Sequence, residues 1–403
     1  MSKLQELINK LCPNGVEFKP LGEVCEILDS KRKPVSKGQR INGKYPYYGA
    51  NGVLDYVSDF IFDGTFLLLG EDGSVINKDN SPVLNWAKGK IWVNNHAHVL
   101  SEKKGCLLRF LYYALQLIDV TDIVRGTPPK LNQTNLRNIS IPVPPIEVQE
   151  EIVRILDSFS DYAAELQAEL QARKQQYEYY RNLLLTFNPS AYGCGTDDEQ
   201  KDGVTTWGGH NYKIEWKKLG EIGNICMCKR ILKHQTNTKS GIPFYKIGTF
   251  GKVADSYISE DLFMEYKKKY SFPQKGEILI SASGTIGRAV IYDGEDAYFQ
   301  DSNIVWINND ESMVLNKYLY YFYQIVDWNV EGGTIKRLYN TNLSNTPIPL
   351  PPLELQEKIV AILDRFETLV NDLTNGLPAE IAAVKDQYEY YRNKLLTFKK
   401  LSA

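Results

Sequence analysis

The chain writes one long pattern twice. QYEYYRNLLLTF at 176–187 returns as QYEYYRNKLLTF at 387–398, identical at eleven of twelve positions. Upstream, IPVPPIEVQEEIVRILDSF (141–159) and IPLPPLELQEKIVAILDRF (348–366) share thirteen of nineteen residues. GTPPKLNQTNL (126–136) matches GTIKRLYNTNL (333–343), RFLYYALQ (109–116) matches KYLYYFYQ (317–324), and VEFKPLGEV (16–24) matches IEWKKLGEI (214–222). The matches keep their order, so the chain is a tandem duplication and must fold as two related units. Residues 25–108 and 223–316 share only scattered features. One part held constant beside another that diverged suggests a shared partner and two different targets.

The constant ends read as long helices. From Ile152 the apolar or aromatic positions run Leu156, Phe159, Ala163, Leu166, Leu170, Tyr177, Tyr180, Leu184 and Phe187, a heptad seam interrupted only at Arg173. Pro144-Pro145 fits the start of that helix. The second seam runs from Ile359 to Phe398, and the offset between the copies grows from 207 to 211 near Leu377. Four residues have been added there. With Asn375, Gly376 and Pro378 at that place, a break or kink is expected. A helix with one apolar seam needs a partner, and the simplest is its twin, running antiparallel. Tyr177, Tyr180, Tyr388 and Tyr391 fall on the seam and read as core. Tyr179 and Tyr390 fall off it, beside Arg181 and Arg392, and these four read as partner-docking residues.

Composition bounds the class. The 403 residues are 43% hydrophobic and 24% charged, as in soluble globular proteins. MSKLQELINKLCPNG has no signal-peptide core, and no apolar run approaches the roughly 18 residues of a membrane span. Six cysteines in so long a chain do not form a disulfide framework, so a cytoplasmic protein with reduced thiols is expected.

The net charge of −2 hides two local basic runs. Residues 30–54 carry Lys31, Arg32, Lys33, Lys37, Arg40 and Lys44 with no acid, beside Tyr47 and Tyr48. Residues 222–254 carry Lys229, Arg230, Lys233, Lys239 and Lys246 with no acid, beside Tyr245. Both runs follow the LGE(V/I) segment. Cations neutralise phosphate while polar and aromatic neighbours reach bases, so these are the candidate DNA contacts. A charge run alone is usually a solvated face; two at matching positions weigh towards DNA. Lys130, Lys336 and Arg337, in the matching loops before the helices, join the set. The glycine-rich loops after GTFLLL (64–69) and GEILIS (276–281) read as turns.

No catalytic centre emerges. GQRINGKY (38–45) imitates a phosphate-binding loop, but Tyr45 replaces the Ser/Thr that would hold Mg²⁺ and Pro46 blocks the following helix. Glu265-Tyr266-Lys267 lacks a metal-binding Asp, Cys226, Cys228 and His234 lack a second zinc ligand pair, and His96 and His98 have no nucleophile nearby.

Two divergent domains, each followed by a constant helix opening on Pro-Pro, resemble the specificity subunit of type I restriction-modification enzymes. The carriers are PVPPIEVQEEIVRILD (142–157), PLPPLELQEKIVAILD (349–364) and the twin QYEYYRN phrases. The resemblance implies an α+β fold with a pseudo-twofold internal repeat. Mixed α/β target recognition domains would occupy 1–140 and 213–347, and helical regions 141–187 and 348–403 would pair as an antiparallel coiled coil, with a linker at 188–212. It also implies a non-catalytic chain that reads a bipartite site on double-stranded DNA, one half per domain. Two methyltransferase subunits and motor-nuclease subunits would be its partners and would carry S-adenosylmethionine, ATP and Mg²⁺, leaving this chain without cofactor or metal. The rivals are a self-contained DNA methyltransferase or nuclease, and a coiled-coil scaffold with no DNA role.

Overall fold

The computed structural model describes residues 3–187, 204–333 and 336–401. The chain forms two compact units, one of Met1–Gln167 with Glu380–Ala403 and one of Ala168–Ala379. The units therefore exchange the ends of their helices along the sequence.

The first unit begins with α1 (Lys3–Leu11), β1 (Glu17–Pro20), α2 (Leu21–Val24), β2 (Cys25–Ile27), β3 (Asn42–Gly49), β4 (Gly52–Val57), β5 (Phe62–Gly70), β6 (Leu84–Val93) and β7 (Ala97–Glu102). It continues through α3 (Leu108–Leu115), α4 (Gln133–Arg137), β8 (Ser140–Val143) and α5 (Ile146–Thr186), whose last part belongs to the second unit. Strands β2 to β7 form a six-stranded sheet in the order β2-β7-β5-β6-β3-β4, while β1 pairs antiparallel with β8. The second half of β5, Phe66–Leu69, is apolar on both faces because both are covered, whereas Asp63 and Thr65 before it are exposed. Leu67 and Leu69 join Phe110, Leu111, Val148, Ile152 and Leu156 in one core, and Phe66 and Leu68 join Phe62, Ile91 and Val93 in another.

The second unit holds β9 (Val204–Trp207), β10 (His210–Lys213), β11 (Glu215–Lys218), α6 (Leu219–Ile222), β12 (Ile225–Cys226), β13 (Ile242–Tyr245), β14 (Tyr257–Ile258), α7 (Glu260–Lys269), β15 (Ile278–Ser281) and β16 (Ala289–Ile291). Then come β17 (Tyr298–Phe299), β18 (Ile304–Ile307), α8 (Asn316–Tyr323), α9 (Asn340–Asn345), β19 (Pro347–Leu350) and α10 (Leu353–Asn371). Helix α11 (Leu377–Leu396) returns to the first unit. Here β11 pairs with β19 as β1 does with β8, but the sheets are smaller, ordered β12-β18-β15-β16 and β14-β13-β17. The core is aromatic, with Phe244, Phe250, Phe263, Tyr298 and Trp306 buried together.

Two expectations meet detail here. Of the supposed linker 188–212, residues 188–203 lie outside the described residues. Residues 204–212 do not form a loop but belong to the β9–β10 hairpin, which turns on Gly208 and Gly209, both at positive φ. The added residues near Leu377 do interrupt the second helix between Asn371 and Leu377. The turn is ordered: the Asp372 carboxylate accepts from Thr374 Oγ1 and the Thr374 and Asn375 backbone N–H groups, which holds it down at about 2. Gly376 is required, since a Cβ there would lie 2.5 Å from the Thr368 carbonyl oxygen. Cys12, Cys25, Cys106, Cys226 and Cys228 are free thiols, and Cys194 lies outside the described residues.

Candidate nucleic-acid and partner interfaces

The constant residues make one set of contacts twice. Gln149 and Gln356 are fully buried. Gln149 accepts from the Leu107 N–H and donates to the Gly105 and Pro144 carbonyls. Gln356 accepts from the Leu315 N–H and donates to the Met313 and Pro351 carbonyls. Asp157 takes the Tyr113 hydroxyl and Arg109, as Asp364 takes the Tyr321 hydroxyl and Lys317. Tyr388 and Arg392 donate to Gln116 in the first unit, and Tyr177 and Arg181 reach Gln324 in the second. Phe159 stacks on Tyr391 at 5.4 Å and Phe366 on Tyr180 at 5.8 Å, so the early part of one long helix meets the late part of the other in each unit.

These contacts sort the partner-docking candidates. Arg181 and Arg392 are turned inward: each guanidinium lies over its own repeat's Tyr177 or Tyr388 and binds the glutamine that follows α8 or α3. Tyr179 and Tyr390 point out, each 59% exposed. In the first unit α5, α11, α3 and residues 77–84 border an open pocket of about 620 Å³ whose lining includes Phe159, Gln116 and Arg392. The sequence reading missed Gln116, Gln149, Asp157 and their counterparts, although their identity in both copies was the signal for them.

The first basic run divides into outward and inward residues. Lys31, Lys33, Lys37 and Lys44 are exposed and make no ion pair among the described residues. Arg40 instead donates to the Val35 carbonyl, pairs with Asp55 at 3.3 Å and covers the Tyr47 ring. Tyr47 is 1% exposed, its hydroxyl accepting from the Val35 N–H. Both shape the loop from within. Tyr48 is half-buried, which pushes its hydroxyl up.

Arg32 enters a buried charge cluster that sequence reasoning did not see. Its Nη1 lies 2.6 Å from Glu71 Oε2 and donates to the Ala97 carbonyl, while Lys130 Nζ lies 2.9 Å from Glu71 Oε1. His98, fully buried on β7, has Nδ1 2.6 Å from Asp29 Oδ2 and Nε2 2.8 Å from the Leu131 carbonyl oxygen, so both ring nitrogens face acceptors. Asp29 also accepts from the Val99 N–H and Gln133. The ligand atoms of Asp29, Glu71 and His98 lie within 4.8 Å of one another, a donor set suited to a cation. Arg32 and Lys130 already supply the positive charge, so the cluster is an internal ion network and does not fit an added metal. Burial raises both carboxyls; the His98 hydrogen bond on Asp29, and those of Arg32 and Lys130 on Glu71, outweigh it and hold both below their ordinary values.

Carboxylates held down in this way add stability above their unfolded-chain values and lose it as pH falls through the folded ones. Melting curves should show the first unit weakening as pH drops below about 4.5, the ordinary glutamate value. Glu71→Gln should flatten that acid limb. An equally steep limb would remove the cluster from the account.

In the second unit Lys229, Lys233, Lys239 and Lys336 are exposed, with Lys229 over the Tyr270 ring. Arg230 pairs with Asp301 at 2.7 Å and Lys246 with Asp255 at 2.9 Å. Tyr245 is half-buried and stacked on Phe299, and Arg337 donates to the Ser302 carbonyl and hydroxyl. Cys226, Cys228 and His234 form no ligand cluster among the described residues; Cys228 packs in the aromatic core, where burial raises its thiol to about 12.

This architecture has known relatives. The model of the type I restriction modification DNA specificity domain matches residues 13–173 and again 212–383. The chain belongs to that family, carrying two copies of its domain. It is 51% identical to a putative type I restriction enzyme specificity subunit of Haemophilus influenzae over 393 residues, 95% of this chain and 96% of that one. A type I restriction enzyme specificity subunit of Escherichia coli is 27% identical, covering 99% of this chain and 98% of its own. In fold, the crystal structure of a type I S subunit from M. genitalium superposes with a TM-score of 0.57 at 14% identity, over 98% of this chain and 99% of that one.

Proposed function

We propose that this chain is the non-catalytic, DNA-reading subunit of a type I restriction-modification enzyme. Each divergent domain reads one half of a bipartite site on double-stranded DNA. The exposed lysines around residues 31–44 and 229–239 bind phosphate and fix the register in which loop residues meet base edges. The long helices pair as an antiparallel coiled coil about a pseudo-twofold axis, and the exposed Tyr179 and Tyr390 dock two methyltransferase subunits in equivalent ways. Motor-nuclease subunits complete the restriction complex in the cytoplasm, and S-adenosylmethionine, ATP and Mg²⁺ act on the partners.

One observation carries this reading. Gln149, Asp157 and Gln116 repeat as Gln356, Asp364 and Gln324, contact for contact, beneath sheets that differ. A scaffold has no need of two different faces on one repeated frame; a reader of two different half-sites does.

The test is co-expression with the methyltransferase partner in a host free of methylation, with modified bases mapped by single-molecule sequencing. A single bipartite motif, present only with both chains, is expected. Methylation by this chain alone would overturn the non-catalytic assignment, and no motif with an active, co-purifying partner would overturn DNA reading.

A further inference from the structure

The candidate phosphate contacts of the first unit lie on two segments far apart in sequence, around Lys31–Lys33 and at Lys130. A single buried cluster joins them. Asp29 and Arg32 come from the first segment, Lys130, Leu131 and Gln133 from the second, with Glu71 after β5 and His98 on β7 between them. His98 is the bridge, with one ring nitrogen on the Asp29 carboxylate and the other on the Leu131 carbonyl.

The fold does not require this charge. In both units the backbone makes the same bonds at this place: Leu131 N–H to the Glu71 carbonyl and Glu71 N–H to the His96 carbonyl, matched by Leu338 N–H to Ala282 and Ala282 N–H to Asn303. In the second unit Ala282 stands where Glu71 does, and Arg337, the counterpart of Lys130, binds Ser302 instead. A buried ion network is on average no more stabilising than apolar packing of the same volume. What it does supply is geometry, because each member has few arrangements that satisfy its partners.

We propose that His98, through Asp29 and Glu71, is a positioning residue for recognition of the first half-site, locking the segments 29–40 and 126–131 into one relative placement. This rests on the DNA-reading function proposed above. None of the three residues need touch DNA. They set where Lys31, Lys33 and Lys130 stand, and so where the neighbouring loop residues meet the bases.

His98→Leu, co-expressed with the partner methyltransferase, tests it on the motif itself. The ratio of methylation at the cognate first half-site to that at single-mismatch variants should fall about tenfold, within the range one base pair carries. Stringency at the second half-site should not change. Hydrogen exchange should rise in 29–40 and 126–131 and stay low in β5 and β6, separating local loosening from unfolding. Unchanged first-half stringency in a variant whose segments have loosened would overturn the proposal, as would equal loss in both halves. Should His98→Leu fail to fold, Gln133→Ala removes one donor to Asp29 from an exposed position, and an about twofold loss confined to the same half-site is expected; no loss overturns it. A wild-type chain that yields no bipartite motif refutes DNA reading itself, a result distinct from a wild-type motif that the variant leaves intact.

Discussion

Replacing Gln149 by leucine should lower the stability of the first unit by about 2 kcal/mol, and Gln356→Leu should do the same to the second, because each change strands one buried carbonyl at about 1–3 kcal/mol and breaks two part-buried bonds at about 1 kcal/mol each, less the gain from burying leucine. Both amide N–H donors and the amide oxygen are engaged at both sites, with one acceptor bond from a backbone N–H and two donor bonds to carbonyls. Those carbonyls belong to the turn before α3 or α8 and to the proline segment that opens α5 or α10. The amide therefore staples the start of each long helix to the domain beside it. Leucine matches its size but offers no polar atom, and water has no route to a residue with no exposed surface. Urea denaturation of the single variants against wild type measures the loss. A shift below about 1 kcal/mol would mean that the turn relaxes to reach solvent, and the staple would then not be what fixes the helix.

What the sequence showed and what it hid follow from how local each signal is. The duplication, the Pro-Pro helix starts and the break around Gly376 are written in consecutive letters, and α5, α10 and α11 begin and end where those letters place them. The heptad seam named Tyr177, Leu166, Leu170 and Leu184 correctly as buried. Tyr180 and Tyr391, also read as core, are 37% and 38% exposed, each stacking one ring face on Phe366 or Phe159. Nor did the seam show the domain each helix end would join. That exchange is decided by contacts such as Arg392 to Gln116, 276 positions apart. The basic runs were visible as composition, yet Arg32, Arg40 and Tyr47 proved to be the inner frame of the loop, while the lysines around them stayed outside. No periodicity separates the two. Arginine's planar fork suits a buried carboxylate and lysine's point charge suits water, so the residue type held a hint that charge counting discards. The Asp29–Glu71–His98 cluster joins four segments, 29–32, 71, 98 and 130–133, that are far apart in the chain, a pattern invisible without the fold.

The largest functional change should come from building the chain with its own second domain in both places. Replacing residues 25–125 by 223–332 keeps the frame, because each contact to the helices has its counterpart in the graft: Lys317 for Arg109 and Tyr321 for Tyr113 on Asp157, Gln324 for Gln116 on Tyr388 and Arg392, and Leu315 for Leu107 on Gln149. A chimera made at these boundaries should therefore fold and still dock its partner. If each domain reads its half-site alone, the methylated motif becomes two copies of the original second half-site, and methylation of the original motif falls at least about a thousandfold, the lower end of the gap between specific and non-specific binding. Single-molecule sequencing of the host genome reads both numbers at once. A surviving first half-site would place its recognition outside 25–125, in the constant frame. A folded, partner-bound chimera that methylates nothing would show that reading needs two unlike faces together, because the frame contacts that this exchange preserves would then be insufficient to make either domain work alone.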